Sequence, residues 1–151
     1  MNRKLLIGLL IALALIGIAD SAYLSVHAAN GTPLVCDIGA GLDGCNQVAN
    51  SPYSQLLGIP LAYLGLAFYG LFFLVTLAAY LLQPHKTHHI AITVLSAAAS
   101  LASVGFLYIQ LALIQAICIY CVISALLTFF SLPVALLLLI KHSPRVPAVI
   151  P

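Results

Sequence analysis

From Ile90 to Ile140 the chain contains no Asp, Glu, Lys or Arg. One bilayer crossing needs about 20 apolar residues as a helix, so this stretch is about twice a single span. It reads as two helices joined by a tight turn. The turn is expected near Gln110 to Cys118, where Gln110, Gln115, Cys118 and Tyr120 interrupt the aliphatic pattern. The rest of the composition agrees. Soluble domains carry roughly 25% charged residues, whereas this 151-residue chain has 5%, with 64% hydrophobic residues. Five Lys/Arg and three Asp/Glu cannot cover the surface of a soluble globule of this size. A soluble enzyme is excluded, and the same hydrophobicity excludes disorder. A net charge of +2 over the whole chain gives no electrostatic footprint for nucleic acid.

Two further spans complete the count. Leu5 to Ala19 is apolar, and Ser21 to His27 extends it to a full crossing. Gly44 to Pro84 carries no charge, and its most apolar part is Pro60 to Leu82. The expectation is an all-α integral membrane protein. It is a single four-transmembrane-helix bundle over residues 1–151, with spans near 5–28, 60–82, 90–113 and 117–140. Basic residues concentrate in cytoplasmic segments. Arg3 and Lys4, then Lys86, then Lys141 and Arg145 fall on one side for four spans, which places both termini in the cytoplasm. The loop near 29–59, with Asp37 and Asp43 and no basic residue, is then extracytoplasmic. Met1 to Ala29 also has features of a cleaved signal peptide. Its length, and the helix-like continuation through Asp20, Ser21 and Tyr23, favour an uncleaved first span.

The chemistry sits in four cysteines. Cys36 and Cys45 lie in the extracytoplasmic loop, and Cys118 and Cys121 form Cys-Ile-Tyr-Cys at the start of helix four. By the charge rule all four face the oxidising side, where disulfides persist. Four cysteines allow three connectivities. The Cys118/Cys121 thiols, three residues apart, share one helix face and can close a small reducible ring. A helix N-terminus favours the thiolate, the species that exchanges disulfides, and Cys118 is the member at that terminus. Cys121 lies one turn deeper, within reach of a lipid-soluble oxidant. The stretch between Cys36 and Cys45 is rich in Gly and Asp, so it reads as hydrated, mobile and accessible to a soluble protein. One pair accessible and one at the bilayer make an electron relay. The competing readings are two static disulfides, free buried thiols, and a four-cysteine zinc or iron–sulfur site. The last is disfavoured because Cys36 and Cys45 lack the short spacing of metal knuckles.

Ser51-Pro52 has the form of an N-cap followed by Pro at the first helical position. A short surface helix from Pro52 to Leu57 is expected, with Gly58 ending it and Pro60 opening helix two. Asp20 is the one charged residue inside a span. A carboxylate at mid-bilayer costs roughly 2.5–3.5 kcal/mol on insertion scales, so it should face the bundle or the outer interface, packing there or orienting the loop or pocket.

The ordered set Asp20-Ser21-Ala22-Tyr23-Leu24, Cys36-Asp37, Cys45 with Ser51 six residues on, Gly58-Ile59-Pro60-Leu61-Ala62-Tyr63-Leu64-Gly65 and Cys118-Ile119-Tyr120-Cys121 resembles the vitamin K epoxide reductase family. The similarity runs over about residues 8–140. The resemblance implies a four-helix bundle enclosing a quinone of the menaquinone, ubiquinone or vitamin K type. It implies that Cys121 faces the quinone, that Cys118 is its disulfide partner, and that Cys45 attacks Cys118. Cys36 would complete the pair that trades with a thioredoxin-like or DsbA-like protein, and Ser51 would hydrogen-bond a quinone oxygen. Many prokaryotic members carry a fused thioredoxin-like domain. This chain ends at Pro151, so its partner is expected to be a separate protein. The resemblance is to a stand-alone homologue of the prokaryotic type, which implies a prokaryotic plasma membrane. The vertebrate enzymes have a polar Asn in helix two and a Tyr one turn after the Cys-x-x-Cys, where this chain has Leu61 and Ala125. That favours plain quinone reduction over epoxide reduction. The expected function is a membrane thiol oxidoreductase that passes electrons from Cys36/Cys45 to Cys118/Cys121 to quinone. The alternatives are a vitamin K epoxide or quinone reductase and a non-enzymatic bundle with two structural disulfides. His27, or water at the interface, would supply protons to the reduced quinone.

Overall fold

The computed structural model describes residues 2–36, 44–82 and 86–142. Asp37, Asp43 and the Gly-rich stretch expected to be mobile, together with Arg145, lie outside the described residues. Four helices are long and apolar enough to cross a membrane. They are α1 (Arg3–Asn30), α3 (Leu61–Leu81), α4 (Lys86–Tyr108) with a π-helical turn that continues it through Ile109–Ile114, and α5 (Ile119–His142). A helix apolar on most of its circumference is stable when lipid or other helices cover it, because every backbone group is satisfied within the segment.

The connection between α4 and α5 falls where the aliphatic pattern breaks, and its geometry is set by the π turn. One wider turn lets Gln115 reach a left-handed conformation, φ 57°, and brings the Ala116 N–H to the Gln110 carbonyl at 3.1 Å. The chain then runs extended to Cys118 before α5 begins.

The loop between α1 and α3 departs from expectation. The helix expected over Pro52 to Leu57 is a single 3-10 turn, Pro52–Ser54. The chain continues into a two-residue strand, Gln55–Leu56, paired antiparallel with Ile59–Pro60. Leu57 at φ 54° and Gly58 at φ 81° make the connection. Two successive positive φ values belong to a primed hairpin turn, so Gly58 closes a hairpin and does not end a helix. The regular helix in this loop is instead α2, Gly44–Ala49, which begins beside Cys45.

Two buried clusters define the ends of the bundle. Leu6, Ile7, Leu10 and Ala14 of α1 meet Phe72, Ala79, Ile92, Ala135 and Leu138. This end also carries the described basic residues Arg3, Lys4, Lys86 and Lys141, and the Arg3 guanidinium donates to the Ala79 carbonyl at 3.1 Å. At the other end Leu34, Cys45 and Cys118 are buried together. α1 packs against both α3 and α5, and α4 packs chiefly on α5. α1 thus contributes to both clusters.

Candidate functional site: four cysteines above a membrane cavity

The structure brings all four cysteines into one cluster. Cys45 and Cys118 are fully buried against Leu34, with Cys36, Cys121, Tyr23, Leu24, Val48, Ile119 and Tyr120 packed around them. Cys36 and Cys45 form a disulfide with their Cα atoms 6.0 Å apart. Cys118 and Cys121 are free thiols. The Cys121 thiol donates to Cys118 Sγ at 2.9 Å, and the Cys121 N–H approaches the same sulfur at 3.4 Å. Cys118 lies just before α5, and the hydrogen bond from Cys121 holds its thiol below the ordinary range. Burial opposes this but is the smaller cause. A sulfur poised as thiolate is the reactive partner in disulfide exchange.

Local contacts explain how a loop disulfide reaches a helix start. α2 begins at Gly44, where a Cβ would overlap the Ile117 carbonyl oxygen. Only glycine lets α2 lie against the backbone that leads into Cys118, and this seats Cys45 in the cluster. The Asn46 carboxamide then clamps Leu34, accepting from its N–H at 2.8 Å and donating to its carbonyl at 3.1 Å. The Tyr120 hydroxyl donates to the Val35 carbonyl at 2.8 Å. The residue inside the Cys-x-x-Cys motif therefore ties down the residue preceding Cys36. From the other side, Gln110 Oε1 accepts the Cys118 N–H at 2.9 Å. Gln110 is 4% exposed, so this carboxamide fixes the start of α5 from within the bundle.

Asn46, Tyr120 and Gln110 were not singled out as site residues by the sequence. Gln110 and Tyr120 showed only as polar breaks in an apolar run. A buried amide on a span was the available signal, since a polar side chain in a bundle interior must find a partner.

Beneath the cluster lies a cavity of about 910 Å³. Cys45, Cys118 and Cys121 line its cysteine end, and Phe68, Leu95, Ala98, Ala102 and Thr128 line its depth. Asp20, His27, Tyr69 and Ser124 are also in the wall. The Tyr69 hydroxyl bonds Ser124, 2.9 Å from its hydroxyl and 3.0 Å from its carbonyl. His27 Nδ1 is 2.9 Å from the Thr32 hydroxyl, and its ring packs on Tyr23. Asp20 Oδ2 is buried with no hydrogen-bond partner. Leu61 and Ala125 both line the cavity.

Ser51 stands apart from this wall. It precedes the 3-10 turn but makes no side-chain cap to it, and its hydroxyl donates to the Val48 carbonyl at 2.8 Å. Its neighbours Asn50, Tyr53 and Ser54 line the cavity and Ser51 does not.

Four membrane-spanning helices around a buried thiol pair and a loop disulfide define a multi-pass membrane protein with a redox-capable centre. Residues 8–136 match the Vitamin K epoxide reductase family, and the chain belongs to that family. It is also 34% identical over 118 residues to the thiol-disulfide oxidoreductase LTO1 of Arabidopsis thaliana, covering 73% of this chain and 30% of that protein. The chain therefore spans less than a third of the length of that relative.

Proposed function

We propose that the protein is a membrane thiol–disulfide oxidoreductase that draws electrons from a thioredoxin-like or DsbA-like partner and delivers them to a membrane quinone. The observation that carries this reading is the meeting of an outer disulfide and an inner dithiol in one buried cluster on the wall of a membrane cavity. A static scaffold has no use for a thiol pair facing a void. Its family membership and its likeness to a thiol-disulfide oxidoreductase support the same reading.

In this scheme the partner's dithiol reduces Cys36–Cys45. Cys45 then attacks Cys118 of the oxidised inner pair, Cys36 resolves the mixed disulfide, and the inner pair is left as the dithiol. The clamps on Leu34, Val35 and Cys118 hold the sulfurs in register while bonds exchange. The cavity suits a quinone ring. Its volume lies within the range of small-molecule sites, its depth is apolar, and a few polar groups gather beside Cys121. A bound quinone supplies the two-electron acceptor, and the protein supplies position and water exclusion. With Leu61 and Ala125 in the wall, plain quinone reduction is favoured over epoxide chemistry. Ser51 could donate to a ring oxygen only by giving up its bond to Val48, whereas Tyr69 and Ser124 are polar groups of the cavity wall itself. The basic residues at the opposite end support a cytoplasmic N-terminus and C-terminal helix end, with the cysteines extracytoplasmic.

The test is electron transfer in the purified protein. With a dithiol as donor and a short-chain quinone as acceptor, the wild type should bleach quinone absorbance, and Cys118→Ala and Cys121→Ala should not. A wild type that binds quinone and is reduced by dithiol, yet never passes electrons on, overturns the proposal.

A further inference from the structure

Joining Cys118 and Cys121 breaks two S–H bonds and makes one S–S bond. Two electrons and two protons leave. In the scheme above the quinone takes both electrons and both protons and becomes the quinol. The electrons pass directly, but the protons must be carried between the sulfurs and the acceptor.

Among the described residues, the wall of the cavity presents titratable groups from three helices and from the loop between α1 and α3, which contributes Tyr53 and the disulfide-bonded Cys45. α1 contributes Asp20 and His27, with Tyr23 beside them. α3 contributes Tyr69, and α5 contributes Cys121, with Cys118 at its start; Tyr120 packs on the cysteine cluster outside the lining. α4 contributes no titratable side chain to the lining. Most of these are engaged. His27 Nδ1 is taken by Thr32 and the Tyr69 hydroxyl by Ser124. The Tyr120 hydroxyl is taken by Val35, and Tyr23 packs against His27 and Tyr120. Asp20 is different. It lines the cavity, and one of its oxygens is buried without a partner. It is also the only acidic side chain among the described residues. Asp20 makes no salt bridge there, since the described Lys and Arg residues sit at the far end. An ionisable group kept inside a span without a partner is costly, and such groups mark proton and ion paths.

We propose that Asp20 is the proton carrier of the cavity, taking the proton released from the thiol pair as its disulfide closes and handing it to an oxygen of the quinone-class acceptor. This rests on the function proposed above. Asp20 begins and ends each turnover as the carboxylate, so the balance is two electrons and two protons from the dithiol to the acceptor. The second proton follows the same route after Asp20 has emptied.

The experiment uses the full chain in lipid. Pre-reduced protein is mixed with a short-chain benzoquinone and dithiol oxidation is followed across pH. Asp20→Asn should slow oxidation about a hundredfold, the scale of a lost general base, and flatten the acidic limb of the profile. Asp20→Glu should restore most of the rate, and quinone binding by equilibrium dialysis should be unchanged in both. A second measurement needs neither a variant nor quinone. Ferricyanide takes electrons and no protons, so oxidising the wild-type dithiol with it should leave a proton on Asp20. Time-resolved infrared difference spectra should then show one carboxylic-acid stretch appear. An Asp20→Asn protein within twofold of wild type with the same pH profile overturns the proposal, and so does a wild-type spectrum without that band. A wild type that never reduces quinone refutes the broader function instead, so the two failures are distinct.

Discussion

At the basic end of the bundle, Leu6, Ile7, Leu10 and Ala14 meet Phe72, Ala79, Ile92, Ala135 and Leu138 by apolar contact. At the cysteine end, hydrogen bonds join the Asn46, Tyr120 and Gln110 side chains to the backbone of Leu34, Val35 and Cys118, beside the buried Cys45. About 14 residues of α1 separate Leu10 from Leu24, or roughly 21 Å of helix. Lipid is as apolar as leucine, so the first cluster gains little from hiding its side chains and depends on close fit. The second has to let sulfur–sulfur bonds open and close without losing its shape. Directional bonds to the backbone do that, because they fix Leu34, Val35 and Cys118 whichever sulfurs are joined.

The largest effect that separates the two ends comes from removing the resolving thiol. Cys36→Ser leaves Cys45 able to attack Cys118 with nothing to release it. Turnover with a thioredoxin-like donor should stop, and a Cys45–Cys118 bond should accumulate. Small dithiols should still reduce the inner pair. Peptide mapping after acid quench under non-reducing conditions reads the result. A folded mutant with Cys118–Cys121 joined and Cys45 unpaired would show that the clusters do not communicate as drawn.

Gly44→Ala should be milder. The added methyl group meets the Ile117 carbonyl, so α2 must move away from the start of α5. Turnover with the protein donor should fall about tenfold, a shift of about 1.4 kcal/mol in the barrier. Reduction of Cys118–Cys121 by dithiothreitol should change less than twofold. Equal losses in both assays would mean that the glycine serves folding rather than registration of the sulfurs.

The pH dependence of Cys118 alkylation sharpens the electrostatic side. Its thiol is held below the ordinary range chiefly by the Cys121 hydrogen bond, and only the thiolate reacts. Alkylation of the dithiol form should therefore persist as pH falls below the usual thiol range near 8.5. Cys121→Ala removes the largest lowering cause and leaves burial, which raises. The midpoint of the rate–pH curve should move upward, read by mass spectrometry of the labelled peptide. An unmoved midpoint would assign the lowering to backbone donors.

Legibility in the sequence followed the same division. The spans were readable because a bilayer demands long apolar runs, and Ile90 to Ile140 admits no other solution. The Cys118/Cys121 motif was readable from residue type and spacing, whereas three connectivities stayed open until the family resemblance implied which cysteines pair. What failed was the loop. Gly58 has the same composition signal as a helix stop and as a hairpin turn. The choice fell to the neighbouring Leu57, whose positive φ no propensity announces. Ser51 does precede a helical turn with Pro52 at its start, but its hydroxyl bonds back to Val48 instead of capping, a difference hidden until the preceding helix α2 is seen. Gln110 was visible only as an interruption, because its partner, the Cys118 N–H, is brought to it by a π turn that no periodicity reveals.

The smallest expected effect on the chemistry comes from the apolar end, and it tests whether the two regions are independent. Leu10 is fully buried in its cluster. In a soluble core, Leu→Ala costs both the transfer of the side chain and the void it leaves. In lipid the transfer part largely vanishes, and the void part remains at up to about 2 kcal/mol. Leu10→Ala should therefore lower the midpoint of unfolding in a denaturing-detergent titration. The rate of dithiol oxidation per folded molecule should stay within twofold of wild type, since no residue around Leu10 hydrogen-bonds to the cysteine segments. If oxidation instead slows in proportion to lost stability, the fit at the basic end is transmitted along α1 to the cavity. Asp20 and Tyr23, which lie on that helix beyond Leu10, would then be the residues to carry it.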